Sequence, residues 1–218
     1  MNTVVPHQGS YRAELVRKGI HLFSLLVPIV YYRIGKEQAL WILVPLTILF
    51  ASVDYLRFRS PVLRKWFSDT FGWLLRSHET DEVRKRLNGA TYVLIAATLS
   101  VLIFPKIIAI TSFSVLIICD LSAALIGKRY GKRKFFSKSV EGSLAFFISG
   151  VLVILLTPKV ANHPVEYLIG VVSVAVGAVV ESLSINIDDN LSIPLSVGFV
   201  LWGLYYLALP GFLFSIAG

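Results

Sequence analysis

Seven long apolar runs limit what this chain can fold into more than any other feature of its sequence. Several of these runs approach the roughly 20 residues that an α-helix needs to cross a lipid bilayer, while the first and third are shorter. We predict membrane-spanning helices over 20–34, 38–56, 90–104, 107–126, 140–157, 165–184 and 191–209. The runs are continuously apolar, which excludes the alternating pattern of a transmembrane β-barrel. The sequence therefore predicts an all-α polytopic membrane bundle that forms a single domain over 1–218.

Composition agrees with this class. Of the 218 residues, 56% are hydrophobic and 16% are charged, whereas a soluble domain of this length carries more charge. The single cysteine, Cys119, excludes an internal disulfide bond. The net charge of +8 is not accompanied by a stacking module or a basic soluble domain, so we expect no nucleic-acid partner.

The distribution of lysines and arginines predicts the orientation of the bundle. Seven spans place the two termini on opposite sides, and 17 of the 21 basic residues then fall on the side of the N-terminus. The other side receives only Arg33, Lys36, Lys106 and Lys159. Because cytoplasmic loops carry the excess of positive charge, we predict a cytoplasmic N-terminus and a C-terminus on the outer side.

The largest loop, at about 57–89, has an amphipathic pattern. Its apolar residues recur at three- and four-residue spacing with basic residues between them, and they are Leu63, Trp66, Phe67, Phe71, Leu74 and Leu75. This pattern predicts an amphipathic helix on the inner leaflet of the membrane. A cytoplasmic cap packed on the bundle fits the same pattern equally well.

Several acidic residues lie within the apolar runs or at their ends. Ionisable groups are costly in a membrane and are normally kept for a site. These acids lie toward the cytoplasmic ends of the runs, and they are Asp54, Asp120, Glu141, Glu181, Asp188 and Asp189. A transporter usually keeps such groups near the midplane, so we expect a cytoplasm-facing pocket rather than a transport path. Asp54 has a simpler interpretation as a helix cap or as the partner of a nearby arginine.

The stretch 119–143 carries six lysines and arginines between Asp120 and Glu141. Lysine and arginine neutralise phosphate groups, and Mg²⁺ prefers one or two carboxylates together with phosphate oxygens. Gly127 and Gly131 permit close approach of the backbone, although the stretch lacks the G-x-x-x-x-G-K-[ST] pattern of a P-loop. Taken alone, the basic residues are equally well explained as a topology signal.

A second acidic cluster follows in the short loop after the sixth run. The adjacent carboxylates of Asp188 and Asp189 repel each other and need a cation, a base or water nearby. Together with the basic stretch, this pair predicts a site for a metal-bound nucleoside triphosphate at the membrane surface.

Four motifs resemble those of a known family. They are RKGIH at 17–21, D-x-x-A-A-x-x-G-K-x-x-G-K at 120–132, SKSVEGS at 137–143, and E-S-x-x-x-N-I-D-D-N-L-S-I-P at 181–194. Together they are similar to the motifs of the CTP-dependent lipid-alcohol kinases, which include dolichol kinase, phytol kinase and CTP-dependent diacylglycerol kinase. Part of the pattern also resembles phosphatidate cytidylyltransferase. This chain has IDDNLSIP in place of that enzyme's glycine- and histidine-containing signature, and the departure favours the kinases.

The resemblance implies a membrane enzyme that transfers the γ-phosphoryl group of CTP to the hydroxyl of a lipid alcohol. The implied acceptor is a polyprenol, a phytol-like isoprenoid or diacylglycerol, and the implied cofactor is Mg²⁺ or another divalent cation. We expect the active site to face the cytoplasm of a prokaryotic inner membrane. A cytidylyltransferase that makes a CDP-lipid is the first alternative, and a non-catalytic lipid transporter is the second.

The resemblance also implies roles for individual residues. The implied metal ligands are Asp120, Asp188, Asp189 and Glu181. The implied nucleotide- and phosphate-binding residues are Lys128, Lys132, Lys138, Gly127, Gly131, Arg17, Lys18, His21 and Asn190. The implied catalytic residues are Asp120, Asp188 and Glu141, and one carboxylate, such as Asp120, would accept the hydroxyl proton. For His21, a hydrogen-bonded helix residue is the alternative interpretation.

Overall fold

Helices account for most of the computed structural model, which describes residues 8–72, 87–161, 163–183 and 187–210. The described helices are α1 (Gln8–Phe23), α2 (Leu26–Arg33), α3 (Lys36–Arg59), α4 (Pro61–Phe71), α5 (Gly89–Ile103), α6 (Lys106–Tyr130), α7 (Val140–Leu156), α8 (Pro164–Leu183) and α9 (Asp189–Ala208). Two short strands, β1 (Lys134–Phe135) and β2 (Lys138–Ser139), form an antiparallel hairpin between α6 and α7.

The helices follow the apolar runs of the sequence. Among the described residues, five helical segments are long and apolar enough to cross a membrane, and they are Leu15–Arg33, Lys36–Arg59, Lys106–Tyr130, Pro164–Leu183 and Asp189–Ala208. The two further runs form the shorter apolar helices α5 and α7. The predicted class of helical membrane protein is confirmed, while the β-hairpin is a small departure from an all-α fold.

Helix α6 lies at the centre of the bundle and packs against α1, α2, α5, α7 and α9. Its middle turns are buried almost completely, with Val115, Leu116 and Ile117 at 0% exposure. The outward faces of α1 and α3 are exposed and apolar, as expected of helix faces that contact lipid. The charged side chains of α6 are therefore confined to its ends, apart from Asp120.

The first predicted span, 20–34, is interrupted at Ser24 and Leu25, between α1 and α2. Pro28 has no N–H to donate to the carbonyl of Ser24, and its ring crowds that carbonyl. The backbone N–H groups of Ser24, Leu25 and Val27 instead donate to carbonyls three residues back at 2.9–3.0 Å. The regular α-helical hydrogen bonding is thus interrupted one turn beyond His21.

The connections between helices gather at two ends of the bundle. At one end, Lys36 Nζ donates to the carbonyl of Leu102 at 2.9 Å, and Lys106 Nζ donates to the carbonyl of Ile34 at 2.9 Å. These bonds join the α2–α3 turn to the α5–α6 turn. At the other end, the hairpin is tied to the last turn of α8, where Ser137 N donates to the Ser182 carbonyl at 3.1 Å.

The predicted basic loop is shorter than the sequence suggested. α6 continues through Tyr130, so Lys128 and Arg129 lie in its last turn, where positive side chains favour the carbonyl end of a helix. The hairpin follows, and its turn residue Phe136 has a φ of 50°, a left-handed conformation that is uncommon for an aromatic residue.

Within the predicted loop 57–89, the structure forms α4. Ser60 caps this helix by accepting a hydrogen bond from Leu63 N, and Pro61 stands at its first position. None of its residues is buried, and Trp66 is 55% exposed. This exposure favours a helix on the membrane surface over a packed cap. Leu74 and Leu75, the other apolar residues of the predicted pattern, lie outside the described residues.

Candidate active site

The first cluster of charges joins α1 to the middle of the bundle. Lys18 and His21 are three residues apart on α1 and so lie on one face of the helix, toward α6. Lys18 Nζ forms an ion pair with Asp120 Oδ2, and His21 Nδ1 lies 3.2 Å from the same oxygen. Lys18 is only 3% exposed and Asp120 only 9%. Buried charges need such partners, because an isolated ion in an apolar environment is strongly disfavoured.

The second cluster lies where the hairpin meets α8 and α9. Lys138 Nζ lies 2.9 Å from Asp189 Oδ2 and 3.2 Å from Glu181 Oε1. The hairpin is held there because Ser137 Oγ also donates to the Ser182 carbonyl, at 2.6 Å. Burial disfavours the charged lysine, but the carboxylates of Asp189 and Glu181 outweigh that effect and raise the pKa of Lys138 above its ordinary value. Lys138 is thus held as a cation between two carboxylates.

The two clusters belong to the same end of the bundle. Asp120 of the first cluster is close enough to Glu181 of the second to interact with it electrostatically. Four parts of the chain far apart in sequence therefore converge here: α1, α6, the hairpin, and the adjoining ends of α8 and α9. Lysines and carboxylates alternate across this convergence, which suits a ligand that carries several negative charges with a cation.

The predicted phosphate-binding glycines have a packing role. A Cβ added to Gly142 would lie 3.1 Å from the carbonyl oxygen of Ala123 and 3.3 Å from Gly127 Cα. The backbones of α6 and α7 thus touch at this crossing, where Ser139 Oγ also caps α7 by accepting from Gly142 N at 3.1 Å. A Cβ on Gly131 would lie 2.7 Å from the same Oγ. Gly127 and Gly131 are needed here for close helix packing.

Glu141 organises the backbone that precedes the hairpin. Its Oε2 accepts hydrogen bonds from the backbone N–H groups of Lys132 at 3.0 Å and Arg133 at 3.4 Å. The side chains of Lys128 and Lys132 are exposed at this end of the bundle. Arg17 is half-buried beside Lys18 on α1. Glu141 therefore holds the backbone of the basic segment that precedes the hairpin.

The adjacent acids Asp188 and Asp189 have separate partners. Asp188 is the N-cap of α9, and its Oδ1 accepts a hydrogen bond from Asn190 N at 3.0 Å. Asp189 turns instead toward Lys138. Asn190 is buried next to this cap at 8% exposure. One carboxylate of the pair is used by the helix end, and the other is available to the site.

The predicted metal ligands do not form one cluster. Within the residues that the structure describes, no group of three or more His, Cys, Asp and Glu side chains could hold a metal ion. Asp120 already has two partners on α1, and Asp188 caps α9. Glu181 Oε2, however, is buried without a hydrogen-bond partner among the described residues. Glu181 and Asp189 together fit Mg²⁺, because this ion takes one or two carboxylates and completes its shell with water and phosphate oxygens.

Two buried acids, Asp54 and Glu166, lie outside the site and have structural roles. Asp54 is fully buried, and its carboxylate accepts hydrogen bonds from Asn88 N at 2.8 Å and Thr91 Oγ1 at 2.7 Å, which ties α3 to the start of α5. Arg57 Nε lies 3.0 Å from it, in agreement with the simpler interpretation of this acid.

Glu166 corrects the expectation that all such acids lie at the cytoplasmic end. It is 1% exposed in the first turn of α8, near the α7–α8 turn, and accepts from Val160 N at 2.7 Å and Tyr205 Oη at 2.8 Å. Glu166 lies two residues after Pro164, in the first turn of a helix, where acidic residues are enriched. This spacing could have indicated its structural role from the sequence.

Fold and site together define a helical membrane protein with a polar, charge-alternating site at one end of its bundle. The chain is 26% identical to CTP-dependent diacylglycerol kinase 1 of Schizosaccharomyces pombe, over 86% of this chain and 91% of the relative. It is 31% identical to an uncharacterised protein of Methanocaldococcus jannaschii, over 86% of this chain and 92% of the relative. It is 34% identical to probable phytol kinase 2, chloroplastic, of Glycine max, over 58% of this chain and 48% of the relative. The chain is thus similar over most of its length to a CTP-dependent lipid kinase, and more locally to a phytol kinase.

No protein-family model matches the chain, and no solved structure matches it.

Proposed function

We propose that this protein is a membrane kinase that transfers the γ-phosphoryl group of CTP to the hydroxyl of a lipid alcohol. The observation that carries the proposal is the pair of facing clusters, Lys18–Asp120–His21 and Lys138–Glu181–Asp189, at one end of an apolar bundle. The similarity to CTP-dependent diacylglycerol kinase 1 and to probable phytol kinase 2 supports CTP as the donor and a lipid alcohol as the acceptor. The acceptor class is a polyprenol, a phytol-like isoprenoid or diacylglycerol.

The proposed topology has seven crossings, with the N-terminus in the cytoplasm and the C-terminus outside. Two features support it. The turns after α2, α5 and α7 carry Arg33, Lys36, Lys106 and Lys159, which are the four basic residues of the poorly charged side. The other end carries the basic residues of α4, of the last turn of α6 and of the hairpin, together with both charged clusters, so the site faces the cytoplasm of a prokaryotic inner membrane, where CTP is present.

Phosphoryl transfer depends mainly on positioning and on neutralising charge. Lys138, Lys132 and Lys128 hold the triphosphate from the hairpin side, while Arg17 and Lys18 approach from α1. Glu181 and Asp189 would hold a divalent cation, which would neutralise charge on the phosphates. Lys138 then shifts its ammonium from these carboxylates toward a phosphate oxygen.

The decisive experiment follows the label of CTP into lipid. The purified protein in lipid vesicles is given a lipid alcohol and CTP labelled at either the α or the γ phosphorus. We expect the γ label, and not the α label, in the extracted lipid, and we expect the Asp120→Asn variant to transfer neither. Lipid labelled only from the α position would establish a cytidylyltransferase instead and would overturn the proposal.

A further inference from the structure

His21 is held in the site by only one of its two ring nitrogens. Its side chain is 10% exposed, and Nδ1 lies 3.2 Å from Asp120 Oδ2. Nε2 is buried and has no hydrogen-bond partner among the described residues. A histidine with a purely structural role normally uses both nitrogens, because an unpaired buried polar atom is costly. The free nitrogen therefore indicates a partner that comes with the substrate.

We propose that His21 is the general base of this enzyme and that its Nε2 accepts the proton of the lipid hydroxyl. This inference rests on the proposed kinase function. Asp120 accepts the N–H of Nδ1 and so fixes the tautomer whose lone pair is on Nε2. Asp120 is then a positioning residue, which keeps the imidazole in place and stabilises the imidazolium after proton transfer.

The step balances as a displacement at phosphorus. The oxygen of the lipid hydroxyl forms a bond to the γ-phosphorus of CTP, and its proton passes to His21 Nε2. The bond from that phosphorus to the oxygen bridging the β and γ phosphates breaks, and its electron pair leaves with CDP. The imidazolium later releases its proton to water, which restores the neutral base. No oxidant or further reactant is required.

Asp120 is the less suitable base, although its position in the motif suggested this role. Its Oδ2 is shared by the ammonium group of Lys18 and by His21. The oxygen that would have to accept the proton is therefore already occupied by two described partners. Nε2 of His21 has no partner among the described residues, so its lone pair is available to the lipid hydroxyl.

The surroundings of His21 are suited to a lipid substrate. Its neighbours on the outward face of α1 are apolar and open, with Ile20 51% exposed and Phe23 74% exposed. Helix α1 ends at Phe23, two residues beyond the imidazole, and α2 begins at Leu26. An acyl or isoprenoid chain beside α1 in the bilayer would hold its hydroxyl at the depth of His21, and the hydroxyl would enter between α1 and α6 to reach Nε2, because this nitrogen is buried.

The test replaces the nitrogen that accepts the proton and keeps the one that binds Asp120. In His21→Asn, the side-chain amide can still donate to Asp120, but it offers nothing in the place of Nε2. We expect kcat with CTP and a lipid alcohol to fall about 10²–10⁴-fold, the usual contribution of a general base, while KM for CTP is unchanged. His163→Asn, at the opposite end of the bundle, is the matched control and should keep full activity.

A second variant separates proton transfer from packing. His21→Ala should lose activity in the same way and recover part of it when free imidazole is added to the assay. The inference is overturned if His21→Asn retains the wild-type kcat, if it raises KM for CTP at unchanged kcat, or if imidazole restores nothing to His21→Ala. Failure of the kinase proposal looks different, because the wild-type protein itself would then transfer no γ label.

Discussion

At the scale of single residues, the pairing of Lys18 with Asp120 defines the site. The two residues are separated by 102 positions in the sequence and meet in a region where both are nearly inaccessible to solvent. Truncation of one partner of a buried ion pair leaves the other charge without compensation. The pair is therefore important for stability as well as for binding, and the two contributions can be measured separately.

Lys18→Met should destabilise the protein more than the double variant Lys18→Met with Asp120→Asn. The single change leaves a buried carboxylate without its ammonium partner, which costs about 3–5 kcal/mol in the free energy of unfolding. The double change removes both charges and should recover most of this loss, but not kinase activity. Unfolding in detergent and γ-label transfer measure the two effects, and equal stability of the two variants would contradict the prediction.

The residue types at the site could be predicted from the sequence, but their partners could not. The motif spacing on α1 indicates that Lys18 and His21 share a face, because residues three apart always do so in a helix. That this face meets Asp120 depends on how α1 packs on α6. In the same way, the adjacent acids Asp188 and Asp189 looked equivalent in the sequence. In the structure, Asp188 caps α9, whereas Asp189 pairs with Lys138.

At the scale of elements, the crossing of α6 and α7 sets the position of the hairpin. The contact between Gly127 and Gly142 brings the two backbones together, and the hairpin that carries Lys138 extends from this point. The prediction ended the fourth span at 126 because Gly127 and the basic residues after it resembled a loop. In the structure, tertiary packing holds the glycine within the helix, as often happens when packing outweighs local propensity.

Gly142→Ala should loosen this crossing. The added methyl group would lie 3.1 Å from both the Ala123 carbonyl oxygen and Ser139 Oγ, so α6 and α7 would have to separate. Overpacking of this kind typically costs about 1–3 kcal/mol, and we expect a lower Tm together with weaker activity.

Gly203→Ala is the matched control for this variant. A Cβ at Gly203 in α9 has no atom within 4 Å, so this substitution should leave activity intact and raise Tm slightly, because alanine favours a helix. A Gly142→Ala protein as stable as the Gly203→Ala protein would show that the close approach is not required.

At the scale of the whole molecule, charge is distributed unequally between the two ends. The apolar runs alone predict the helical membrane class and the approximate position of the apolar helices, because run length is a direct consequence of bilayer thickness. They do not predict the break at Ser24–Leu25 or the hairpin, which depend on a single proline and on tertiary contacts. They also give no indication that the buried acid Glu166 serves the opposite end.

Chemical labelling on intact cells measures the orientation. We expect a membrane-impermeant maleimide to label His163→Cys from outside and Lys134→Cys only after the membrane is opened, since both positions are exposed but lie at opposite ends. Cys119 is completely buried, so the wild-type protein serves as the unlabelled control. The reverse pattern of labelling would place the site on the outer side and contradict the proposed topology.

The separation between Lys18 and Asp120 also has a consequence for biosynthesis. Ribosomes deliver α1 to the membrane well before α6, so Lys18 has no counter-ion until Asp120, 102 residues later in the sequence, has been synthesised. During that interval the ammonium group remains at the aqueous edge of the bilayer, since a lone charge is excluded from hydrocarbon. α1 reaches its final depth only when α6 inserts beside it. The packing of α1 against α6 and the neutralisation of Lys18 by Asp120 therefore occur in the same step.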